Sequence, residues 1–288
     1  MQESRERYFR RGALVLVMAY LFLALGHSVL NPICETSDEY WHIGFVAHLA
    51  RGGTLPVQQP GVKTPWRQEG SQPSLYYWFE ASLARLLHLP LADVAQACPP
   101  NPHANLGDAT QLANRNLVLH GPWQRYPWSG MVFTIHFWRI VSVLMGLGTV
   151  LGAIWLTRTL FPRQPTWSLA VGAFVAFNPM YLFITSAVSN DALVIPLTTL
   201  TLALAAHSWR FGPTLRTSLL LGLLAGGAAL TKLSGLTVWP WVAVALFLGA
   251  RARGDSRAAW QYPLLALGSA LLVSGWWFWR NWTLYHDP

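Results

Sequence analysis

Apolar and polar residues alternate along this chain in long blocks. Residues 12–30 (GALVLVMAYLFLALGHSVL) hold no charge other than one that His27 could carry. A block of that length, at ~1.5 Å per residue, crosses a bilayer core of roughly 30 Å. It predicts a first transmembrane helix. Six more apolar blocks follow a long mixed stretch and predict helices at about 131–157, 167–184, 192–208, 217–231, 236–250 and 260–279. Pro196 could kink the fourth helix, and Gly222, Gly226 and Gly227 suggest a close-packing face on the fifth. The mixed stretch, 31–130, is too long for a bare loop. Within it, Asp38–Ala50 spaces Trp41, Phe45, Val46 and Leu49 as an amphipathic helix would. Ser74–His88 does the same with Leu75, Trp78, Phe79, Leu83, Leu86 and Leu87, and Pro73 and Ser74 could start it. Both suit interfacial helices on the outer membrane face. Residues 98–128, crowded with Pro, Asn and Gly, read as irregular. The pattern therefore predicts an all-α, polytopic membrane protein forming a single membrane domain, 1–288. Its parts are a first span (12–30), a long extracytoplasmic loop (31–130) and six further spans (131–288), seven transmembrane helices in all.

Composition agrees with this. Hydrophobic residues make up 53% of the chain and charged residues 11%, against about 25% charged in a soluble domain. Mean hydropathy is +0.31. A net charge of +8 would suggest nucleic acid as a partner in a soluble protein. Here 11 of the 20 Lys and Arg fall in the segments 1–11, 158–163, 209–216 and 250–257, which alternate with apolar blocks. That is the positive-inside pattern. It puts the N-terminus in the cytoplasm, the C-terminus outside, and leaves no nucleic-acid footprint. Arg5, Arg7, Arg10 and Arg11 before an apolar run give the N-terminus a signal-peptide look. The run is long, and no A-x-A-like site follows it, so an uncleaved helix is expected. The cysteines, Cys34 and Cys98, both fall in the outer loop. A disulfide stays open, but nothing in the sequence fixes their distance, and the balance leans to two separate thiols.

Charge becomes informative once the cytoplasmic segments are set aside. In this topology Arg139, Asp191, Lys232 and Arg280 lie near the outer ends of helices, as does the acidic cluster Glu35, Asp38 and Glu39. Ionisable residues at spans tend to face a polar cavity and mark a site, although any one cation could simply reach for headgroups. A carboxylate at such a site can take a proton from an acceptor hydroxyl, and cations can hold the phosphate of a lipid-linked donor. No P-loop, dinucleotide fingerprint or zinc-ligand spacing is present. Asp38 and His42, at i and i+4, could hold a divalent metal, but such a pair is more often a plain hydrogen bond. No cofactor is otherwise implied.

Four stretches resemble the GT-C superfamily of membrane glycosyltransferases, in particular bacterial glycosyltransferase family 39 with its protein mannosyltransferase and aminoarabinose transferase members. They are Thr36-Ser37-Asp38-Glu39-Tyr40-Trp41-His42 after the first helix; Gln72-Pro73-Ser74-Leu75-Tyr76-Tyr77, similar to the family's H-P-P-L-Y-Y; Asn178-Pro179 with Ser189-Asn190-Asp191-Ala192-Leu193; and Thr231-Lys232 with the ending Trp276-Trp277 and Arg280-Asn281. The resemblance implies an enzyme of the bacterial inner membrane. It would transfer a sugar from a polyprenyl-phosphate donor to an acceptor whose nature the sequence leaves open, with inversion at the anomeric carbon. Asp38, or less favourably Glu39, would be the base, and Asp191 a second acid. Lys232, Arg139 and Arg280 would meet the donor phosphate, with Glu35, His42 and Tyr76 further substrate-binding positions. Gln72-Pro73-Ser74 departs from the family's H-P-P. Family members also continue past the equivalent of Pro288 with further helices, so the resemblance implies an N-terminal module. A non-catalytic member of the same fold, binding a polyprenyl lipid or a partner subunit, is the alternative. A transporter ranks last, since no internal repeat is visible.

Overall fold

The structure, a computed structural model, describes residues 2–105, 110 and 114–287, with side chains of the first helix from Glu6 onward. The side chain of Arg5, and positions 106–109 and 111–113 of the stretch expected to be irregular, lie outside the described residues. Among the described residues the chain is all-helical: α1 (Gln2–Leu30), α2 (Glu39–Ala50), α3 (Leu75–Leu86), α4 (Val94–Ala97), α5 (Gly130–Leu160), α6 (Pro165–Ala176), α7 (Pro179–Thr185), α8 (Asp191–Phe211), α9 (Leu215–Thr231), α10 (Trp239–Arg251) and α11 (Ala258–Tyr285). Short 3-10 segments cover Arg67–Ser71, Pro122–Gln124 and Leu233–Val238.

Five helical stretches are long and apolar enough to cross a membrane: Glu6–Leu30, Gly130–Leu160, Asp191–Phe211, Leu233–Arg251 and Ala258–Tyr285. The pair α6 and α7 adds a sixth if the two count as one span bent by 62°. The continuous helix expected at 167–184 is thus broken. Pro179 disfavours helical backbone at the preceding residue, and the Asn178 side chain instead caps α7 by accepting from the Tyr181 N–H at 3.1 Å. The apolar helix α9 has 17 residues, which at ~1.5 Å each is short of a full crossing. Length and composition therefore support five or six spans where the sequence pattern suggests seven. Two boundaries also move: α1 takes in the N-terminal arginines, and α11 runs to Tyr285, so Arg280 and Asn281 are helical.

The spans pack through small residues. Helix α5 lies chiefly on α8, and α9 on α11. A β-carbon at Gly226 would sit 2.7 Å from the Ala270 carbonyl oxygen, and one at Gly222 would collide with that of Ala266. These two glycines, one turn apart, let the α9 and α11 backbones touch. Gly227, expected on the same face, has only ordinary contacts at 3.7 Å to Leu197 and Leu75.

The long loop builds a second body at one end of the spans. Its core joins Ile33, Phe45, Val46, Tyr76, Ala84 and Val94 to Ile135 and Trp138 of α5 and Val188 before α8. The disulfide Cys34–Cys98 closes it, with Cα atoms 6.5 Å apart across 64 positions. The two-thiol expectation fails because folding of the loop, rather than sequence spacing, brings these cysteines together. The interfacial expectation for α2 fails too. Ten of its 12 residues are buried, Glu39 and His42 included, and a helix covered all round is a core helix. Its polar residues find partners inside the protein. Helix α3 does keep two faces: Tyr76, Tyr77, Glu80, Ala81 and Ala84 point inward, while Trp78, Phe79 and Leu86 are exposed. Trp78 stacks on Trp276 of α11 with centroids 5.3 Å apart.

Candidate functional site

The acidic cluster after α1 separates into three roles. Glu39, the first residue of α2, is fully buried against Arg139 of α5, with Nη2 to Oε2 at 2.6 Å and Nε to Oε1 at 2.7 Å. The guanidinium also donates to the carbonyls of Ser28, Asn31 and Pro32 at 2.7–3.0 Å. All five of its N–H groups are then used. The Glu39 carboxylate also accepts from the Cys34 and Val188 backbone N–H groups at 2.9 and 3.0 Å. This pair ties the end of α1, the start of α2, α5 and the turn before α8 into one knot. Neither residue has a hydrogen-bonding position left for a substrate.

Glu35 faces the other way. Its carboxylate accepts from the Leu117 and Val118 N–H groups and lies 2.9 Å from His120 Nε2. It fastens the 114–120 segment of the loop to the exit of α1. Tyr76 is also internal, its hydroxyl 2.9 Å from Ser142 Oγ. Arg280 donates to the Pro56 carbonyl at 2.7 Å and stacks over Trp277. It holds the 55–58 segment against α11, and Tyr285 helps by accepting from the Gln58 N–H.

Asp38 is left as the exposed acid. Its backbone is left-handed, with φ 56°. Asp tolerates that region better than most side chains, and strained backbone of this kind clusters at functional sites. The side chain caps nothing. It is held loosely by Ser37 Oγ at 3.3 Å and Gln68 Nε2 at 3.4 Å.

Behind Asp38 stands a buried hydrogen-bonded group. Tyr77 donates to Glu69 Oε2 at 3.4 Å, and His42 Nδ1 lies 2.8 Å from the Tyr77 hydroxyl and 3.5 Å from Glu69. Because Tyr77 has one proton, His42 must donate through Nδ1 whenever Tyr77 donates to Glu69. Burial and the Lys232 charge push His42 down to about 3, so it is neutral. Burial and then the negative charge of Asp38 raise the Glu69 carboxyl. Burial and Glu69 hold the Tyr77 hydroxyl well above its usual range. Gly44 of α2 makes room for this group: a β-carbon there would strike the Pro65 carbonyl just before the 3-10 turn that carries Gln68 and Glu69.

The same buried group also feels the ion pair of Lys232 and Asp191, at 2.7 Å and about a third exposed. The pair comes from the turn after α9 and the first residue of α8. Lys232 depresses His42 and lowers Glu69, and Asp191 acts on Tyr77. The structure thus brings together Asp38, His42, Asp191 and Lys232 among the expected site residues. Glu35, Glu39, Arg139, Tyr76 and Arg280 are engaged elsewhere. Among the described residues no group of three or more His, Cys, Asp or Glu side chains is arranged to hold a metal. His42 Nδ1 lies 2.8 Å from the Tyr77 hydroxyl, with which it shares a hydrogen bond.

Glu69 and Tyr77 were not singled out in the sequence. Tyr77 sits in the Tyr76-Tyr77 pair, where nothing ranks one ring over the other. Glu69 lies in a 3-10 turn of five residues, too short for a periodic pattern. A further acid, Glu80 on α3, is buried with neither carboxylate oxygen hydrogen-bonded. Burial lifts it well above the usual carboxylate value.

Comparison with protein-family models, with curated proteins and with solved structures finds no match.

The shifts give a signed pH dependence. Glu69 has a raised folded value, so its stabilising contribution is complete below its unfolded value near 4.5 and is lost as pH rises through the folded value. His42 acts oppositely: its contribution is complete above 6.5 and is lost as pH falls toward about 3. Thermal unfolding of Glu69→Gln should therefore show a stability gain over the wild type that grows from pH 5 to pH 8. Parallel profiles would contradict the assignment.

Proposed function

We propose that this chain is a membrane-embedded glycosyltransferase of the bacterial inner membrane. It moves a sugar from a polyprenyl-phosphate donor to an acceptor hydroxyl on the extracytoplasmic face. The observation that carries the reading is the exposed, left-handed Asp38 beside the buried group of His42, Glu69 and Tyr77, on which the Lys232–Asp191 ion pair also acts, at one end of apolar helices. The resemblance of these same positions to the GT-C superfamily supplies the substrate class.

In this reading Asp38 accepts the proton of the acceptor hydroxyl. The acceptor oxygen then forms its bond to the anomeric carbon as the bond from that carbon to the donor phosphate oxygen breaks. The departing phosphate takes the negative charge and is met by Lys232. Asp191 keeps the ammonium oriented. Burial raises the Glu69 carboxyl and the Tyr77 hydroxyl, which disfavours a further negative charge behind Asp38. Arg139 and Glu39 hold the knot on which Asp38 is mounted.

Three features support the orientation. Arginines of the segments 158–163, 209–216 and 250–257 lie at the helix ends opposite to Asp38, as the positive-inside rule asks of a cytoplasmic face. The disulfide Cys34–Cys98 suits an oxidising compartment. Counting α9 as a crossing restores seven spans, N-terminus inside and C-terminus outside, and α9 is packed between α8 and α11 as a span would be.

Lys232→Gln tests the role of the Lys232 ammonium. It removes the charge from a residue about a third exposed and leaves Asp191 accessible to water, so the fold should persist. Binding of a polyprenyl-phosphate sugar to the purified protein should weaken by about tenfold, as for one charge-assisted contact of roughly 1.4 kcal/mol. Unchanged affinity would remove Lys232 from the donor site.

A further inference from the structure

The exit of α1 carries a polar pocket and an apolar groove that meet at one residue. The pocket, about 250 Å³, is lined by Asn31, Pro32, Arg125, Tyr126, Trp128 and His136 among others. The groove, about 560 Å³, runs along the outer third of α1 past Phe22, Leu25, Gly26 and Leu30. Val29 lines both.

The pocket is separate from the candidate site. None of Asp38, Glu69, Asp191 and Lys232 lines it. Two of its buried polar atoms, Asn31 Nδ2 and His136 Nδ1, have no hydrogen-bond partner, and His136 is 4% exposed. Buried polar atoms are otherwise nearly always paired. Trp128 lies flat on the His136 ring at 3.7 Å and holds it in place. At the mouth, the Arg125 side chain is exposed and makes no hydrogen bond or ion pair among the described residues. An Arg fork and an amide donor at one opening match a phosphate monoanion or diester. The groove below is apolar apart from His27, and aromatic rings at its rim, Tyr126 and Trp128, sit where headgroups would lie.

We propose that the exit of α1 is a second lipid site, taking an anionic glycerophospholipid. Its phosphate meets Arg125 and Asn31, and one acyl chain lies along α1 from Val29 toward Phe22. The charge of the pocket selects an anionic headgroup, and the continuity with the groove selects a lipid over a free phosphate. The site connects to the candidate catalytic group through a single element: Asn31 and Pro32, which line the pocket, give their carbonyls to Arg139 of the buried knot. This inference rests on the membrane-embedded fold and not on the transfer chemistry.

The test is native mass spectrometry of the detergent-solubilised protein titrated with phosphatidylglycerol, phosphatidylcholine, or soluble glycerol 3-phosphate. Arg125→Gln and Leu25→Trp, which fills the groove, are the variants, since both positions are exposed and neither belongs to the candidate site. Wild type should retain phosphatidylglycerol preferentially over phosphatidylcholine. Arg125→Gln should reduce that preference about fivefold, and Leu25→Trp should reduce retention of both lipids. Glycerol 3-phosphate should not displace the lipid. Equal retention of the two lipids, no effect of Arg125→Gln, or displacement by glycerol 3-phosphate would overturn the proposal. Asp38→Asn should leave lipid retention unchanged, so a failure of the transferase reading and a failure of this site give different results.

Discussion

Replacing Arg139 by methionine should destabilise the outer half of the molecule by about 3–5 kcal/mol, the cost of leaving one member of a buried ion pair without its partner. The Glu39 carboxylate would remain fully buried with only two backbone donors, and the carbonyls of Ser28, Asn31 and Pro32 would lose theirs. Arg139→Lys should recover only part of the loss, because one ammonium cannot reproduce a fork that meets a carboxylate with two N–H groups and three carbonyls with the rest. Glu39→Gln should also destabilise, since the single amide oxygen can accept from only one of the Cys34 and Val188 N–H groups while its NH2 faces the other and the guanidinium. Thermal unfolding in detergent, read by intrinsic tryptophan fluorescence, checks the order. If Arg139→Met unfolds at the wild-type temperature, the knot is not what holds α1, α2, α5 and the turn before α8 together. The same experiment separates stability from chemistry, because Arg139 has no N–H left to offer a donor phosphate.

Asp38→Asn should lower sugar transfer by a factor of about 10²–10⁴, the range for loss of a positioned general base, while leaving the fold unchanged. Asparagine is close in shape and also tolerates the left-handed backbone that position 38 adopts. The side chain is exposed, caps no helix and is held only by two long hydrogen bonds, so little stability is at stake. Removing its charge also takes away a cause of the raised Glu69 carboxyl, and Glu69 in the variant should titrate closer to an ordinary carboxylate. An unfolding temperature within a degree or two of wild type, together with a large loss of transfer, separates a catalytic from a structural role. Glu39→Gln is expected to lose activity together with stability, which is the contrast that assigns the base to Asp38.

The spans were legible because each is a run of apolar residues bounded by arginines or turn residues, a signal that needs no tertiary knowledge. The break at Asn178-Pro179 was legible in principle, as proline restricts the residue before it, but the apolar run continues across it and hides the bend. The sequence pattern starts helix α2 within a residue of its actual start but does not show its buried environment. Its Glu39 and His42 look like a solvent face until Arg139 and Tyr77 arrive from α5 and α3, at separations of 100 and 35 positions. The gathering of Asp38, Asp191 and Lys232 at one end of the helices followed from topology alone. Which of the gathered charges is free did not, because Glu39 and Arg139 differ from Asp38 and Lys232 only in burial. Glu69 left no trace, since one 3-10 turn has no period and its position depends on Gly44 letting the 64–67 segment cross α2.

The most direct test of the account is transfer of radiolabelled sugar from a panel of polyprenyl-phosphate sugars, with the wild type and Asp38→Asn reconstituted side by side in lipid membranes containing cell-envelope acceptors. The account predicts transfer from at least one donor by the wild type and its loss in the variant at equal folded protein. Transfer that survives Asp38→Asn would contradict the assignment of the base, and a wild type that binds donor lipid without transferring from any member of the panel would contradict the enzyme reading.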